Sequence, residues 1–102
     1  MAYRNYSGKN GFVYFLSNYN RNVLYIGVTG ELDKRILDHK FGQGSKFTSK
    51  YNLKILLYFE EYPNINEAIE REKQLKNWHR KWKFNLIKKS NPELKDLWGQ
   101  ID

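Results

Sequence analysis

Three short apolar runs, separated by polar stretches and helical spacings, frame the chain. Phe12 to Leu16 is a compact apolar run of strand type. Val23 to Val28 is a second, rich in β-branched and aromatic residues and stopped by Thr29-Gly30. Between them, Ser17-Asn18-Tyr19-Asn20-Arg21-Asn22 reads as a hairpin loop, because Asn side chains bond their own main chain and tolerate left-handed angles. The two strands are then antiparallel neighbours holding Tyr14 and Tyr25 in one local sheet; which way the hydroxyls point depends on register. Leu53 to Phe59 is the third run, apolar on both faces and therefore expected to be covered on both sides.

Helical spacing fills the intervals. Leu32 and Ile36 fall at i and i+4, and Lys40 and Gly42 close the pattern as a helix C-terminus does. Arg35 and His39 are also four apart, which sets them on one helix face. Gly42 to Tyr51 is a Gly/Ser/Lys/Thr loop with room for one helical turn; it lacks the spacing of a nucleotide-binding P-loop and reads as a surface loop against a nucleic-acid backbone, or as a connector. Pro63-Asn64 ends the sheet, and Asn64 with Glu67 forms a reciprocal capping box. A helix is predicted from about Ile65 to Arg80, with Ile65, Ala68, Ile69 and Leu75, and Trp78 or Trp82, on its apolar stripe. Glu72 lies inside that stripe, where an unpartnered carboxylate costs several kcal/mol to bury; such violations of patterning gather at functional sites. Trp82 to Lys89 is a second helix or a continuation, with Leu86 and Ile87 buried. Asn91-Pro92 ends it, and Leu94 to Trp98 packs back onto the body. Trp78, Trp82 and Trp98 are assigned to packing.

The expected fold is α/β of the α+β kind: a small three-stranded, mainly antiparallel sheet flanked by helices, in the order β-β-α-(short α)-β-α-α. Residues 11–98 form one domain, after a loose leader over 1–10 and before a tail over 99–102. A chain of 102 residues supports one modest core.

Composition narrows the chemistry. The net charge is +7 and aromatics make up 17% of residues, which suits a nucleic-acid partner: cations neutralise phosphates and flat rings stack on bases. Without cysteine there are no disulfides, thiolate nucleophiles or Cys-based zinc sites. Two histidines, His39 and His79, are too few for the usual zinc cluster. No stretch approaches the roughly 20 apolar residues of a membrane span, and Met1 to Lys9 lacks the apolar core of a signal peptide. A soluble, cytoplasmic domain without a membrane partner is expected. From Arg71 to Lys89 eight Lys/Arg residues surround one acid, Glu72, compatible with a metal-dependent site on a polyanion. Taken singly, the chemical residues have plainer readings: Tyr14 and Tyr25 as sheet aromatics, Arg35 paired with Glu31 or Asp38, His39 at a helix C-terminus, Glu72 paired with Lys76.

Their order carries more. Tyr25-Ile26-Gly27 matches the second half of the GIY-YIG signature, and Phe12-Val13-Tyr14, preceded by Gly11, is a variant of the first half. Arg35 and His39 match an R-x-x-x-H helix, and Glu67 to Lys76 resembles the helix that supplies a metal-binding glutamate, here Glu72. The chain thus resembles the GIY-YIG endonuclease family from about Gly11 to Ile87, in particular its small stand-alone branch, with Lys46-Phe47-Thr48-Ser49-Lys50-Tyr51-Asn52 and the closing Asn91 to Trp98 as further points of similarity.

The resemblance implies a DNA endonuclease that hydrolyses phosphodiester bonds with weak sequence specificity, in repair or recombination, using one divalent cation, Mg²⁺ or Mn²⁺. Glu72 would hold the metal, and Arg35 would donate to the non-bridging oxygens in the transition state. Tyr14 would be the general base, its pKa lowered from about 10 by Arg35 and the metal. Tyr25 would orient water or phosphate, and His39 would relay a proton or hold Tyr14. Asn85 corresponds loosely to an asparagine that some branches use. Lys46, Lys50, Lys76 and Arg80 are the expected contacts to nucleic acid, RNA staying open beside DNA. A non-catalytic nucleic-acid-binding module using the same basic face is the alternative. Oligomeric state is not legible in the sequence.

Overall fold

The computed structural model describes residues 10–100. The expected leader, apart from Asn10, and the end of the expected tail lie outside the described residues. Strands β1 (Gly11–Ser17), β2 (Leu24–Thr29) and β3 (Ile55–Tyr62) form one sheet in the order β2-β1-β3, wholly antiparallel. Helices α1 (Leu32–Lys40) and α2 (Lys46–Lys50) lie between β2 and β3, and α3 (Ile65–Lys76) and α4 (Arg80–Ser90) follow β3.

The middle strand explains the layering. Every residue of β1 is buried, because its alternate side chains enter two separate cores. Phe12, Tyr14 and Leu16 pack with Leu32 and Ile36 of α1 and with Leu53 and Leu56. Val13 and Phe15 pack on the other face with Ile26, Leu57, Ala68, Leu75 and Ile87. Leu32, Ile36 and His39, at i, i+4 and i+7, are the buried stripe of α1. That helix ends in paired Schellman bonds, Gln43 N to Asp38 O (2.8 Å) and Gly42 N to His39 O (3.0 Å).

Several sequence expectations shift. The third strand runs two or more residues later than Leu53 to Phe59, since Leu53 is buried in the connection before β3 while pairing extends to Tyr62. The left-handed residue of the β1–β2 loop is Arg21 (φ 59°) rather than an asparagine; its guanidinium holds Leu94 O (3.0 Å) and Tyr19 O (2.6 Å). The predicted helix to Arg80 breaks after Lys76: Trp78 turns into the second core and His79 takes an extended backbone as the N-cap of α4. Only half of the Asn64 capping box forms. Asn64 accepts from Glu67 N (2.9 Å), and the Glu67 carboxylate takes the Asn64 amide (2.9 Å) instead of backbone. Trp82 is 54% exposed, against its assignment to packing.

The two sheet edges differ. Along β3 the closing segment covers the edge: Asp96 accepts from Leu56 N (3.1 Å), Leu97 N donates to Leu56 O (2.7 Å), and Asp96 pairs with Lys40 (2.8 Å). Buried Asn91 fixes that segment by donating to Leu57 O (3.0 Å) and Lys95 O (2.8 Å). Glu60, gripped by Arg71 and by the hydroxyls of Tyr58 and Tyr62, ties β3 to α3. The outer edge of β2 pairs with no strand among the described residues. Among those residues no helix is long and apolar enough to cross a membrane.

Candidate active site

The free edge of β2 is the floor of a groove of about 420 Å³. Leu24 to Val28 line it, with Phe47 of α2 on one side and Glu72, Lys76 and Lys83 on the other. Tyr25 and Glu72, 47 positions apart in sequence, therefore face one concavity. The Glu72 side chain is only 15% exposed and pairs with Lys76 at 3.1 Å. The out-of-pattern carboxylate thus points along the sheet edge instead of into a core.

Register settles the tyrosines. Tyr14 lies directly across from Gly27, and Leu16 across from Tyr25, so both phenols belong to the layer that holds α1. Their ring centroids are 6.3 Å apart. His39, from the buried stripe of α1, completes the triangle at 5.7 Å from Tyr14 and 5.8 Å from Tyr25. Tyr14 Oη and His39 Nε2 are 3.1 Å apart, and His39 Nδ1 is 3.1 Å from Thr48 Oγ1. Thr48 is itself locked by a reciprocal capping box with Ser45 at the start of α2. Its oxygen accepts from Ser45 N (3.1 Å) and its hydroxyl reaches Ser45 O (3.2 Å).

Two glycines make this packing possible. A Cβ at Gly27 would sit 2.3 Å from Tyr14 Cζ and Oη, and one at Gly44 would sit 2.0 Å from His39 Nδ1. Gly27 also lines the groove, so the Tyr14 hydroxyl packs against a residue of the groove floor.

Electrostatics qualifies one expectation. Tyr14 is 2% exposed, and burial pushes its phenol well above the ordinary value; Tyr25 adds to this, Arg35 opposes it, and Glu72 adds again. The sequence-based expectation has Arg35 and a metal lower the Tyr14 pKa together; without a metal charge, loss of water outweighs the guanidinium. Burial, aided by Arg35, lowers His39 from its ordinary value to about 4, with Asp38 opposing. At neutral pH the pair is a protonated phenol against a neutral imidazole.

Arg35 reaches Tyr14 and His39 through its field but does not line the groove. It opens onto a neighbouring depression of about 260 Å³ with Thr29, Gly30, Glu31, Lys34 and Asp38, and makes no ion pair among the described residues. Of the expected nucleic-acid contacts, Lys76 lines the groove and Lys46 and Lys50 are exposed on α2. Arg80 is turned to the β1–β2 loop, donating to Asn22 O (2.6 Å) above the Phe84 ring. Asn85 sits apart with Trp78, Trp82, Leu86 and Lys89. Phe47 and Thr48 entered the sequence reading only within the Lys46 to Asn52 similarity, with no role of their own, and Lys83 only within the basic run. Ser45 and Thr48 three apart carried a capping signal; Lys83 lies beyond the helix break, and nothing in the pattern marked it.

Among the described residues no three acidic, histidine or cysteine side chains gather as a metal cluster. One carboxylate on a hydrated groove nevertheless fits a hard divalent ion, since Mg²⁺ keeps several waters and takes one or two carboxylates plus substrate phosphate. Glu72 would hold it, with Lys76 displaced.

Comparison with known proteins agrees with the geometry. A UPF0213 protein of Pediococcus pentosaceus is 35% identical over 88 residues, covering 86% of this chain and 93% of its own. One from Bacillus pumilus is 36% identical over 70 residues, covering 69% and 71%. The solution NMR structure of the UPF0213 protein BH0048 from Bacillus halodurans superposes with a TM-score of 0.55 at 28% identity, covering 85% of this chain and 92% of that one. Residues 10–85 match the GIY-YIG catalytic domain, and the chain belongs to that family of nuclease domains.

Proposed function

We infer that the chain is a metal-dependent endonuclease hydrolysing phosphodiester bonds of DNA with weak sequence preference. The observation that supports this most is the shared groove: a half-buried carboxylate and a tyrosine from distant elements face one cavity, with a hydrogen-bonded phenol–imidazole pair packed against its floor.

The residues divide the work. Lys76 and Lys83 attract the phosphodiester, and Tyr25 orients it or the attacking water. Thr48 has one hydroxyl hydrogen; given to Ser45 O, it leaves Thr48 Oγ1 to accept His39 Nδ1–H. His39 Nε2 is then free to accept from Tyr14 Oη. For Tyr14 to take a proton from the attacking water and pass its own to His39, without a free phenolate, β2 must shift at Gly27 enough to admit that water, since Tyr14 is buried and does not line the groove. Burial holds His39 down more than Arg35 does, so an incoming phosphate that offsets the Arg35 field restores only the smaller part of its basicity. Arg35 opens onto the neighbouring depression, so its side chain would have to swing toward the groove to stabilise charge on the non-bridging oxygens. A divalent ion on Glu72 would supply Lewis-acid stabilisation of the phosphate and the departing 3′ oxygen.

Supercoiled plasmid incubated with Mg²⁺ or Mn²⁺ should be nicked, and chelator should stop it. Salt-sensitive binding to DNA without cleavage under any divalent ion would leave a binding module using the same face.

A further inference from the structure

Beside the groove an aromatic row runs out from Tyr25 through Phe47 and Tyr51, the last two with no role in the hydrolysis described. Phe47 stacks on Tyr25 with ring centroids 6.1 Å apart and planes 27° from parallel, and Tyr51 meets Phe47 at 4.8 Å. Phe47 is 45% and Tyr51 43% exposed. On a helix, 47 and 51 share one face and Lys46 and Lys50 the adjoining one, and Lys50 Nζ lies 5.4 Å from the Tyr51 ring. Phe47 contacts the groove directly.

We propose that this row is a stacking site for an unpaired nucleobase adjoining the scissile phosphate, so that the groove takes nucleic acid with a single-stranded nucleotide at the cut. The row begins on Tyr25 and leads outward, and the two lysines beside it lie where the backbone of a strand leaving the groove would run. Stacked bases in a continuous duplex hide their faces from an exposed ring, whereas an unpaired base offers both. The +7 charge of the chain complements a polyanion. The proposal deepens the nuclease reading and rests on it only for the ligand being nucleic acid.

The test is binding in EDTA, where no cleavage intervenes. Short duplexes carrying 2-aminopurine are compared, either fully paired or with the reporter unpaired at a gap, together with an RNA counterpart. Wild-type protein should bind the gapped form more tightly and quench its fluorescence. Phe47→Leu keeps apolar bulk but loses the π-face; it should weaken gapped binding roughly 10-fold, remove the quench and weaken binding of paired duplex far less. Phe47→Trp should restore both. An unchanged thermal midpoint shows that Phe47→Leu folds, and Tyr51→Leu provides a second variant with a smaller loss. Equal binding of paired and gapped forms, or a quench that survives Phe47→Leu, overturns the proposal while leaving the nuclease reading intact. So does self-association that Phe47→Leu abolishes, since the row would then hold a second copy. Failure to bind any of these nucleic acids overturns the parent reading itself.

Discussion

Gly27 and Tyr14 face each other across the β1–β2 ladder so closely that a Cβ at position 27 would lie 2.3 Å from the Tyr14 hydroxyl. Gly27→Ala therefore drives a methyl into a ring that is fully buried and tied to His39. Overpacking of this kind costs about 1–3 kcal/mol. Urea unfolding should show that loss, and cleavage should fall further than stability because the Tyr14–His39 contact is displaced.

His39 gives the stability a pH signature. Its folded pKa is about 4 against an ordinary 6.5, so between those values the unfolded chain binds the extra proton. Stability from this group is complete above about pH 6.5 and falls as pH drops toward 4, by at most roughly 3 kcal/mol. Urea midpoints measured across that window should decline on acidification, and His39→Gln should flatten the slope.

Thr48 holds His39 and its own helix at once. Thr48→Val leaves Nδ1 without its partner and breaks the capping box, a combined loss on the order of 2 kcal/mol. Thr48→Ser keeps the hydroxyl and should restore most of it. If the hydroxyl also sets the tautomer, the pH–rate profile of Thr48→Val shifts while that of Thr48→Ser stays near wild type.

The β1–β2 pairing was legible because both are dense apolar runs with a clear loop between them, whereas the central place of β1 was not, since the third run named no partner. Glu72 was legible for the opposite reason: it broke a stripe. The position of the α3–α4 break was not, since Asn77 and Trp78 carry no proline or glycine, and tertiary packing of Trp78 sets the turn. Tyr14's raised pKa was hidden too, because sequence names nearby charges but not the depth of burial. Arg35's separate depression and Phe47's stack on Tyr25 depend on how α1 and α2 settle on the sheet, which no local period encodes.

The central claim is that Glu72 and Tyr25 serve one metal-assisted site, and single-turnover cleavage with Glu72→Gln tests it most directly. The substitution keeps shape and hydrogen bonding while removing the charge that a hard cation needs. The account predicts at least a roughly 100-fold drop in Mg²⁺- or Mn²⁺-dependent cleavage, with DNA binding in EDTA retained. Cleavage by Glu72→Gln at the wild-type rate would contradict it.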